Sequence, residues 1–435
     1  MPEPLRSIDD VRAWLADHVY APRPDDDVRG AVGLEAELFP FWVTPAGRPA
    51  ARLALVEIIG VVDGVAGVVR RPDAPDGRPS WLLDGVLVTE EPGAQVEVAG
   101  PPELDAGTAI AGIDAVVGRL AAAFDAAGAG LAAAGLDCWS APEDVPVQLE
   151  VPRYRAMTTY FGRRGGDEGH LLMCASCSLQ VNLDLGPPAV APRRWLLANL
   201  AAPVLVAAFA ASPGAGRVNA RAMGWLGLDP TRTGIAPPLR DGVDDPLEHA
   251  LADALRADVL LVERGGQALA GEPGWSFGRW LAEGHPRYGR PTTADLRTHL
   301  TTLFPEARLR RYVEVRGVDA LPGRWRGAAV ALVVGLLYDE TAREHALDLL
   351  LSWRAVLPQR LRQAACHGLR DPEVGATAAE VLEAALAGAE RLGIPQAVDA
   401  EAYLETYTAR RRHPSDDLRA ALAEGPAAAF AWARA

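Results

Sequence analysis

The chain has 435 residues, of which 49% are hydrophobic and 23% charged, a composition typical of a globular protein with a sizeable core. Its net charge of -14 argues against a nucleic-acid partner, because proteins that bind phosphate backbones present clustered positive charge. All 43 Lys and Arg positions hold arginine, which excludes a Walker-type lysine, a Schiff-base lysine for pyridoxal phosphate and a kinase-type lysine–glutamate pair.

The first half of the chain predicts helices and strands in an irregular order. Ser7 is a typical helix N-cap, alternating apolar residues indicate strands, and clusters of Pro, Gly and Asp indicate loops. In chain order the predicted elements are a helix from Ser7 to about Tyr20, a loop over 21–27, a strand from Gly33, a helix over 49–62, a loop over 71–79, strands over 85–90 and 94–100 joined by a turn at 91–93, and a long helix or helix pair over 104–136.

The second half predicts fewer strands and ends in helices. Its predicted elements are a strand over 177–185, a buried helix around Trp195, loops and short helices over 212–290, a helix over 293–303, a strand over 311–317 and nearly continuous helix from Arg326. No predicted strand is followed by a G-x-G-x-x-G loop, which disfavours a dinucleotide-binding domain. We predict an α+β fold with a mixed or antiparallel sheet and helices packed on one face. The sheet-bearing core covers about 28–325 and a mostly helical part about 326–435.

Cysteines and apolar stretches point to an intracellular, non-membrane protein. Four cysteines are too few for a disulfide framework in this length, and the C-x-x-C pair Cys174 and Cys177 has no second pair to complete a zinc site. The most apolar stretch, 195–211, is about a turn short of a membrane span and contains Asn199 and Pro203, which favours a buried helix. The N-terminal residues lack a signal-peptide pattern, so we expect a cytoplasmic protein without a membrane partner.

Four predicted strands have one apolar face and one polar face. Because side chains at i and i+2 of a strand point to the same side, Glu35 and Glu37 lie together, with Leu34, Ala36 and Leu38 behind them. The same rule groups Gln95 with Glu97, Ser176 with Ser178, Gln180, Asn182 and Asp184, and Glu314 with Arg316.

Two interpretations of these polar faces remain open from periodicity alone. One is a solvated face, which is common in antiparallel sheets. The other is a cation site, because like charges on one face repel and stay ionised most easily beside a cation. Oxygen ligands without a Cys or His cluster suit Mg²⁺ or Mn²⁺, and hard metals together with arginines suggest phosphoryl chemistry.

Seven stretches of sequence, in consistent order along nearly the whole chain, resemble a known family. They are "GLEAE" at 33, "EPGAQVEVAGPP" at 91, "RYRAMTTYF" at 153, "LQVNLD" at 179, "DPTRTG" at 229, "HLTTLFPEARLRRYVEVRG" at 299 and "GLLYDE" at 335. Together they are similar to the glutamate-cysteine ligases of the plant and actinobacterial type, a group that includes the enzymes that open the ergothioneine pathway.

The resemblance implies a fold and a reaction. The fold is that of the glutamine-synthetase-like carboxylate-amine ligases, with an antiparallel sheet lining the active site in one catalytic domain over 1–435. The reaction is ATP-dependent joining of the γ-carboxylate of L-glutamate to the amine of L-cysteine through γ-glutamyl phosphate, for glutathione- or ergothioneine-type thiol synthesis.

The resemblance also implies roles for individual residues. The carboxylates that hold Mg²⁺ in the family match Glu35, Glu37, Glu97 and Glu314, with a further ligand at Gln180. Arg316 matches an arginine that meets the transferred phosphoryl group. The candidate substrate-binding residues are Arg153, Tyr154, Asn182, Arg221, Trp225 and Arg232.

Several readings compete with these roles. Without the resemblance, Arg316 would be interpreted as an ion-pair partner of Glu314, Arg232 as a residue that fixes a loop, and Trp225 as core. Three positions depart from the family pattern and bear on substrate details: Ala94 for Gly, Ala99 for Ser and Ala211 for Asn.

Two other functions stay in view. An enzyme on the same scaffold would join glutamate to a different amine. A non-catalytic nucleotide or metal binder would keep only the fold, and the intact carboxylates argue against it. The general base, the acceptor amine and the oligomeric state are not encoded in any pattern that we recognise.

Overall fold

Ten of the twelve described strands form one antiparallel sheet, and the other two form a separate hairpin. The computed structural model describes residues 3–20, 22, 30–74, 77–214 and 216–435. Its strands are β1 Val32–Val43, β2 Pro49–Arg52, β3 Val69–Arg70, β4 Trp81–Leu83, β5 Val86–Glu90, β6 Val96–Ala99, β7 Ala129–Ala132, β8 Ser178–Asp184, β9 Leu261–Arg264, β10 Gln267–Ala270, β11 Ala307–Leu309 and β12 Tyr312–Asp319. Eight of them run in the order β11-β12-β8-β1-β6-β5-β4-β3, and β2 and β7 also pair with β1.

Helices make up most of the remaining structure. They are α1 Ile8–His18, α2 Leu55–Asp63, α3 Ala106–Ala126, α4 Pro152–Arg164, α5 Glu168–Cys174, α6 Ala191–Leu200, α7 Ala202–Ala208, α8 Ala220–Leu228, α9 Pro230–Thr233, α10 Pro237–Arg240, α11 Pro246–Arg256, α12 Phe277–Glu283, α13 Thr293–Leu300, α14 Gly323–Tyr338, α15 Glu340–Leu350, α16 Leu357–His367, α17 Pro372–Arg391, α18 Ala397–Thr406, α19 Pro414–Glu424 and α20 Pro426–Ala433. Short 3₁₀ turns cover Pro142–Asp144, Leu351–Val356, Gly368–Arg370 and Thr408–Arg410.

The four strands singled out by their polar faces are neighbours in the sheet, in the order β12-β8-β1-β6. Their apolar faces lie in the main core, against α3, α6, α7 and α14. The polar faces therefore meet on the other side of the sheet. The predicted α+β class, with an antiparallel sheet and helices on its apolar face, is confirmed.

Local sequence signals correctly predicted the start of the first helix and the buried helical stretch over 195–211. The Ser7 side chain accepts a hydrogen bond from the backbone N–H of Asp10, and the helix it caps ends at His18 rather than near Tyr20. Most of the predicted loop 21–27 lies outside the described residues. The apolar stretch 195–211 forms the buried helices α6 and α7, as predicted.

Three predictions were wrong in part, the first of them because pairing with another segment overrides local propensity. Residues 49–52 are strand β2, paired with β1, and the helix starts only at Leu55. The helix predicted over 104–136 ends at Ala126, where Gly128 adopts φ 78° and the chain turns into β7. Residues 212–290 contain the hairpin β9–β10 besides short helices.

One described helix, α3, is long and apolar enough to cross a membrane by length and composition alone. In the structure it packs against β1 and β7, and residues along one face are buried in the main core. The four cysteines are all free, and Cys174 and Cys177 are buried.

Candidate active site

The polar side chains of β12, β8, β1 and β6 form the floor of a cavity of about 520 Å³. Its opposite wall comes from α4, α5 and α8, which share a second, smaller hydrophobic core with part of β9. The apolar side chains of that wall are Met157, Phe161, Leu172, Met173, Trp225 and Leu228, and Phe304 joins them from the segment after α13. A cavity of this volume, with a polar floor facing apolar side chains, is suited to a small ligand that carries polar groups.

Sheet register brings the floor carboxylates together. Glu37 on β1 lies directly opposite Glu97 on β6, and Glu35 lies opposite Gln180 on β8. Side chains directly opposite in an antiparallel pair have Cβ atoms about 5 Å apart, so like charges there destabilise the sheet. Glu91, in the turn between β5 and β6, adds a fourth carboxylate to the cavity.

Among the described residues, the hydrogen-bond partners of the floor carboxylates are all neutral. Glu37 accepts from the backbone N–H of Ser178 at 2.7 Å and from Gln180 Nε2 at 3.0 Å. Glu35 accepts from Asn182 Nδ2 at 2.9 Å, and Glu97 accepts from the Thr89 hydroxyl at 2.8 Å. These bonds orient the carboxylates without neutralising them.

The carboxylates of the floor are buried close to one another, an environment that disfavours their ionised forms unless a cation is bound. Burial raises the pKa of Glu35, Glu37, Glu91 and Glu97, and a neighbouring carboxylate raises each further. For Glu37 the pKa rises to about 7. A bound divalent cation would favour the ionised forms, so the donor set fits a hard metal. Among the described residues, no three His, Cys, Asp or Glu side chains already converge as a preassembled metal site.

Arg316 reaches the same cavity from β12. Its Nη1 donates to Gln180 Oε1 at 2.8 Å, and Gln180 in turn donates to Glu37. The Arg316 side chain is 16% exposed and lines the cavity. Gln180 therefore connects the proposed phosphoryl-binding arginine to the acidic floor through one side-chain amide.

Glu314 has a different environment from the other carboxylates. Its oxygens contact Arg308 in a two-point ion pair, and Arg316 and Arg310 lie at 3.5 and 3.7 Å. Burial alone would raise its pKa, but Arg316, Arg308 and Arg310 outweigh burial and lower it to about 2. Glu314 is thus held by arginines and does not line the cavity. The alternative interpretation of Arg316, as an ion-pair partner of Glu314, also agrees with the structure.

The predicted substrate-binding residues fall into two groups. Arg153, Tyr154 and Trp225 line the cavity, and Nη2 of Arg153 donates to the carbonyl oxygen of Thr301 at 3.2 Å. Trp225 also packs on Phe304, with ring centroids 5.2 Å apart, so it is both cavity wall and core.

The residues of the second group bond to other protein groups. Arg221 reaches the cavity edge but is ion-paired with Asp319 at 2.5 Å. Asn182 faces Glu35. Arg232 is fully buried away from the cavity lining, where its guanidinium bonds Asp229 and the carbonyl oxygens of Thr302 and Asp258.

The hairpin that carries Glu91 is fixed by Gln95. Gln95 accepts from the backbone N–H of Gly93 at 2.9 Å and donates to the carbonyl oxygens of Met173 and Ser176. Between them Ala94 adopts φ 59°, a conformation that favours glycine. This is one of the positions that departs from the family pattern.

Sequence patterns did not single out five charged residues of the cavity. They are Arg78, Glu91, Glu263, Arg308 and Arg310. Glu91 sits in a segment whose Pro and Gly indicate only a turn. Glu263 comes from the hairpin β9–β10, which the Gly265-Gly266 pair at a two-residue turn could have revealed. Arg308 lies opposite Glu314 in the β11–β12 pair, which needs the register to be known.

Comparison with known proteins identifies relatives of the chain. The family model of glutamate-cysteine ligase family 2 (GCS2) matches residues 31–430. Glutamate–cysteine ligase EgtA of Mycolicibacterium smegmatis is 35% identical over 343 residues, covering 77% of this chain and 75% of the relative. The chloroplastic glutamate–cysteine ligase of Arabidopsis thaliana is 31% identical over 409 residues, covering 91% and 76%.

A solved structure shares the fold at low sequence identity. The crystal structure of glutamate–cysteine ligase (gshA) from Francisella tularensis in complex with AMP aligns with a TM-score of 0.51 at 12% identity, covering 93% of this chain and 87% of that one. The family match covers nearly the whole chain and the relatives span most of its length. The chain therefore belongs to glutamate-cysteine ligase family 2.

Proposed function

We propose that the protein is an ATP-dependent ligase that joins the γ-carboxylate of L-glutamate to the amine of L-cysteine through γ-glutamyl phosphate. The observation that carries the proposal is the cavity in which Arg316 is joined through Gln180 to the carboxylate of Glu37, with Glu35 and Glu97 on the same floor. Membership of the family supports the reaction class. We also propose that residues 1–435 act as one catalytic domain.

The floor residues are proposed to hold Mg²⁺, which Mn²⁺ could replace. Glu35, Glu37 and Glu97 supply carboxylates, Gln180 an amide oxygen, and Glu91 a further carboxylate from the hairpin. Glu314 would have to exchange an arginine partner to join them. When bound, the metal would neutralise the phosphates of ATP and the charge that develops during transfer.

The arginines of the cavity are proposed to reduce the repulsion between the two anionic substrates. ATP and glutamate are both anions, and without lysine only guanidinium groups can supply fixed positive side-chain charge at neutral pH. We assign Arg316 to the transferred phosphoryl group, where it would stabilise the equatorial oxygens in the transition state.

Substrate recognition is assigned to Arg153, Tyr154 and the apolar side chains of the cavity. Arg153 lacks an ion-pair partner among the described residues and would bind a substrate carboxylate, with Tyr154 beside it. The apolar wall that includes Trp225 would pack against the substrates. The acceptor could also be another amine on the same scaffold, because an apolar wall alone does not single out a thiol.

The proposal is tested by product formation. Protein, ATP, MgCl₂ and L-glutamate are incubated with L-cysteine, with other amines or with hydroxylamine, and ADP and γ-glutamyl products are measured. We expect ADP with glutamate and cysteine together. Preference for another amine would select the alternative ligase, and no ADP with any amine would refute both.

The metal assignment is tested separately. Glu97→Gln is expected to raise the Mg²⁺ concentration for half-maximal rate at least about tenfold, because one carboxylate ligand is lost. The control Glu401→Gln, at an exposed helix position, should leave that concentration unchanged. Equal Mg²⁺ dependence in both variants would remove Glu97 from the metal site.

A further inference from the structure

Arg316 lies at an irregularity in β12. Val315 pairs with Val181 and Val318 with Leu179, so Arg316 and Gly317 of β12 lie opposite the single residue Gln180 of β8 and form a β-bulge. Bulges of this kind turn a side chain away from its regular direction and are frequent beside active sites. The direction of the Arg316 side chain therefore depends on what fixes the bulge.

The backbone of Arg316 is held by groups outside the β8–β12 ladder. Its N–H donates to the carbonyl oxygen of Glu306 at 2.9 Å. Its carbonyl oxygen accepts from Nη2 of Arg221 at 3.1 Å. Gly317 lets the segment approach, because a Cβ there would lie 3.0 Å from the Glu306 carboxylate and 3.2 Å from Val206.

Arg221 is itself fixed by a buried carboxylate. Its Nε donates to Asp319 Oδ1 at 2.5 Å, and Asp319 is fully buried. The other oxygen of Asp319 accepts from the backbone N–H of Ala211 at 2.7 Å and from the Ser212 hydroxyl at 2.6 Å. Because a backbone N–H makes the Ala211 contact, the departure from the family pattern at this position leaves it intact.

We infer that Asp319 and Arg221 are positioning residues that hold the bulge and so aim Arg316 at the reacting phosphoryl group. The inference rests on the proposed function and adds to it, because Asp319 lies behind the cavity and acts only through Arg221. Arg221 donates from Nε to Asp319 and from Nη2 to the Arg316 carbonyl oxygen, so one edge of its guanidinium joins these two groups.

Arg221→Lys isolates the positioning contact. Lysine keeps a positive charge beside Asp319 but has no second branch to reach the Arg316 carbonyl. We expect kcat to fall at least about tenfold, since a small misplacement of a catalytic group can cost about 10²-fold in rate. The KM values for glutamate, cysteine and ATP should stay within about threefold. Asp319→Asn should show the same division between kcat and KM, with a larger loss of kcat.

A matched control separates positioning from general loss of stability. Asp114→Asn breaks the Arg326–Asp114 ion pair of 2.8 Å between α14 and α3, away from the cavity. We expect it to lower the thermal midpoint while kcat stays within about twofold. If Asp319→Asn does not fold, Arg221→Lys still decides the question.

Two results would overturn the inference. A rise of tenfold or more in the KM for an amino acid with kcat nearly unchanged would make Arg221 a substrate-binding residue. Unchanged kcat in Arg221→Lys would show that the bulge does not depend on the contact. Either result requires an active unaltered enzyme, so it differs from failure of the proposed function, in which the unaltered protein forms no ADP.

Discussion

Replacing the buried histidine of α13 is expected to change how stability depends on pH. His299 is 2% exposed, stacks on Phe277 with ring centroids 4.8 Å apart, and donates from Nε2 to the carbonyl oxygen of Ala254 at 2.9 Å. Its Nδ1 is buried and has no hydrogen-bond partner in the described part of the chain. Burial, with a contribution from the charge of Arg232, lowers the pKa of His299 to about 3.

The sign of the effect follows from where the proton binds. The unfolded chain takes up this proton near its ordinary pKa of about 6.5, and the folded chain only near 3. Between these values the unfolded chain binds more protons, so stability is full above about pH 6.5 and is lost as the pH falls. At pH 5, which is about 1.5 units below the unfolded value, the loss is about 2 kcal/mol at about 1.36 kcal/mol per unit.

His299→Gln removes the titration while keeping a donor for Ala254. Urea unfolding followed by tryptophan fluorescence at pH 7 and pH 5 compares the variant with the unaltered protein. The stability difference between the two should shift by about 2 kcal/mol in favour of the variant at pH 5. His345→Gln, at an exposed position, is the control and should show no such shift. If the unaltered protein and His299→Gln lose the same stability between the two pH values, the buried neutral state of His299 is wrong.

Three further predictions concern the site and the hairpin next to it. Arg316→Ala should lower kcat about 10²-fold or more with the circular dichroism spectrum unchanged, and normal turnover would remove Arg316 from the mechanism. Ala94→Gly should change the unfolding free energy by less than about 1 kcal/mol, because relief of φ 59° offsets the loss of a buried methyl group; a large loss in urea unfolding would contradict this balance. Both oxygens of Glu90 are buried without a hydrogen-bond partner among the described residues, and burial raises its pKa to about 8, so its ionisation opposes folding as the pH rises from about 4.5. Glu90→Leu should therefore raise the thermal midpoint, most strongly above pH 8, and a lower midpoint there would be inconsistent with an unpaired carboxyl.

Period-two alternation was sufficient to group polar side chains that share the floor of the cavity, though not to assign their function. It grouped Glu35 with Glu37 and separated them from Leu34 and Ala36, and the structure places these pairs on opposite faces of β1. The rule works because a strand with one buried face has no other register that hides its apolar side chains.

Contacts between distant segments were beyond the reach of such patterns. Nothing local in 49–52 indicates that β1 will pair with it. Likewise, the sequence could not show whether Glu314 binds a metal or pairs with an arginine. The β11–β12 register, which places Arg308 opposite Glu314, was needed for that. The bulge at 316–317 depends on Arg221 and Glu306, which come from elsewhere in the fold. Spacing along one strand contains no information about these partners.

The direct pairing of Glu37 with Glu97 has a consequence for the energetics of the whole sheet. Carboxylates that lie directly opposite each other destabilise the folded sheet. A cation that binds only the folded sheet would offset this destabilisation. By mass action such an ion at 100 times its Kd would add about 2.7 kcal/mol to stability. The melting temperature of the protein would then report how much cation is bound at the cavity floor, and it could be measured without any substrate turnover.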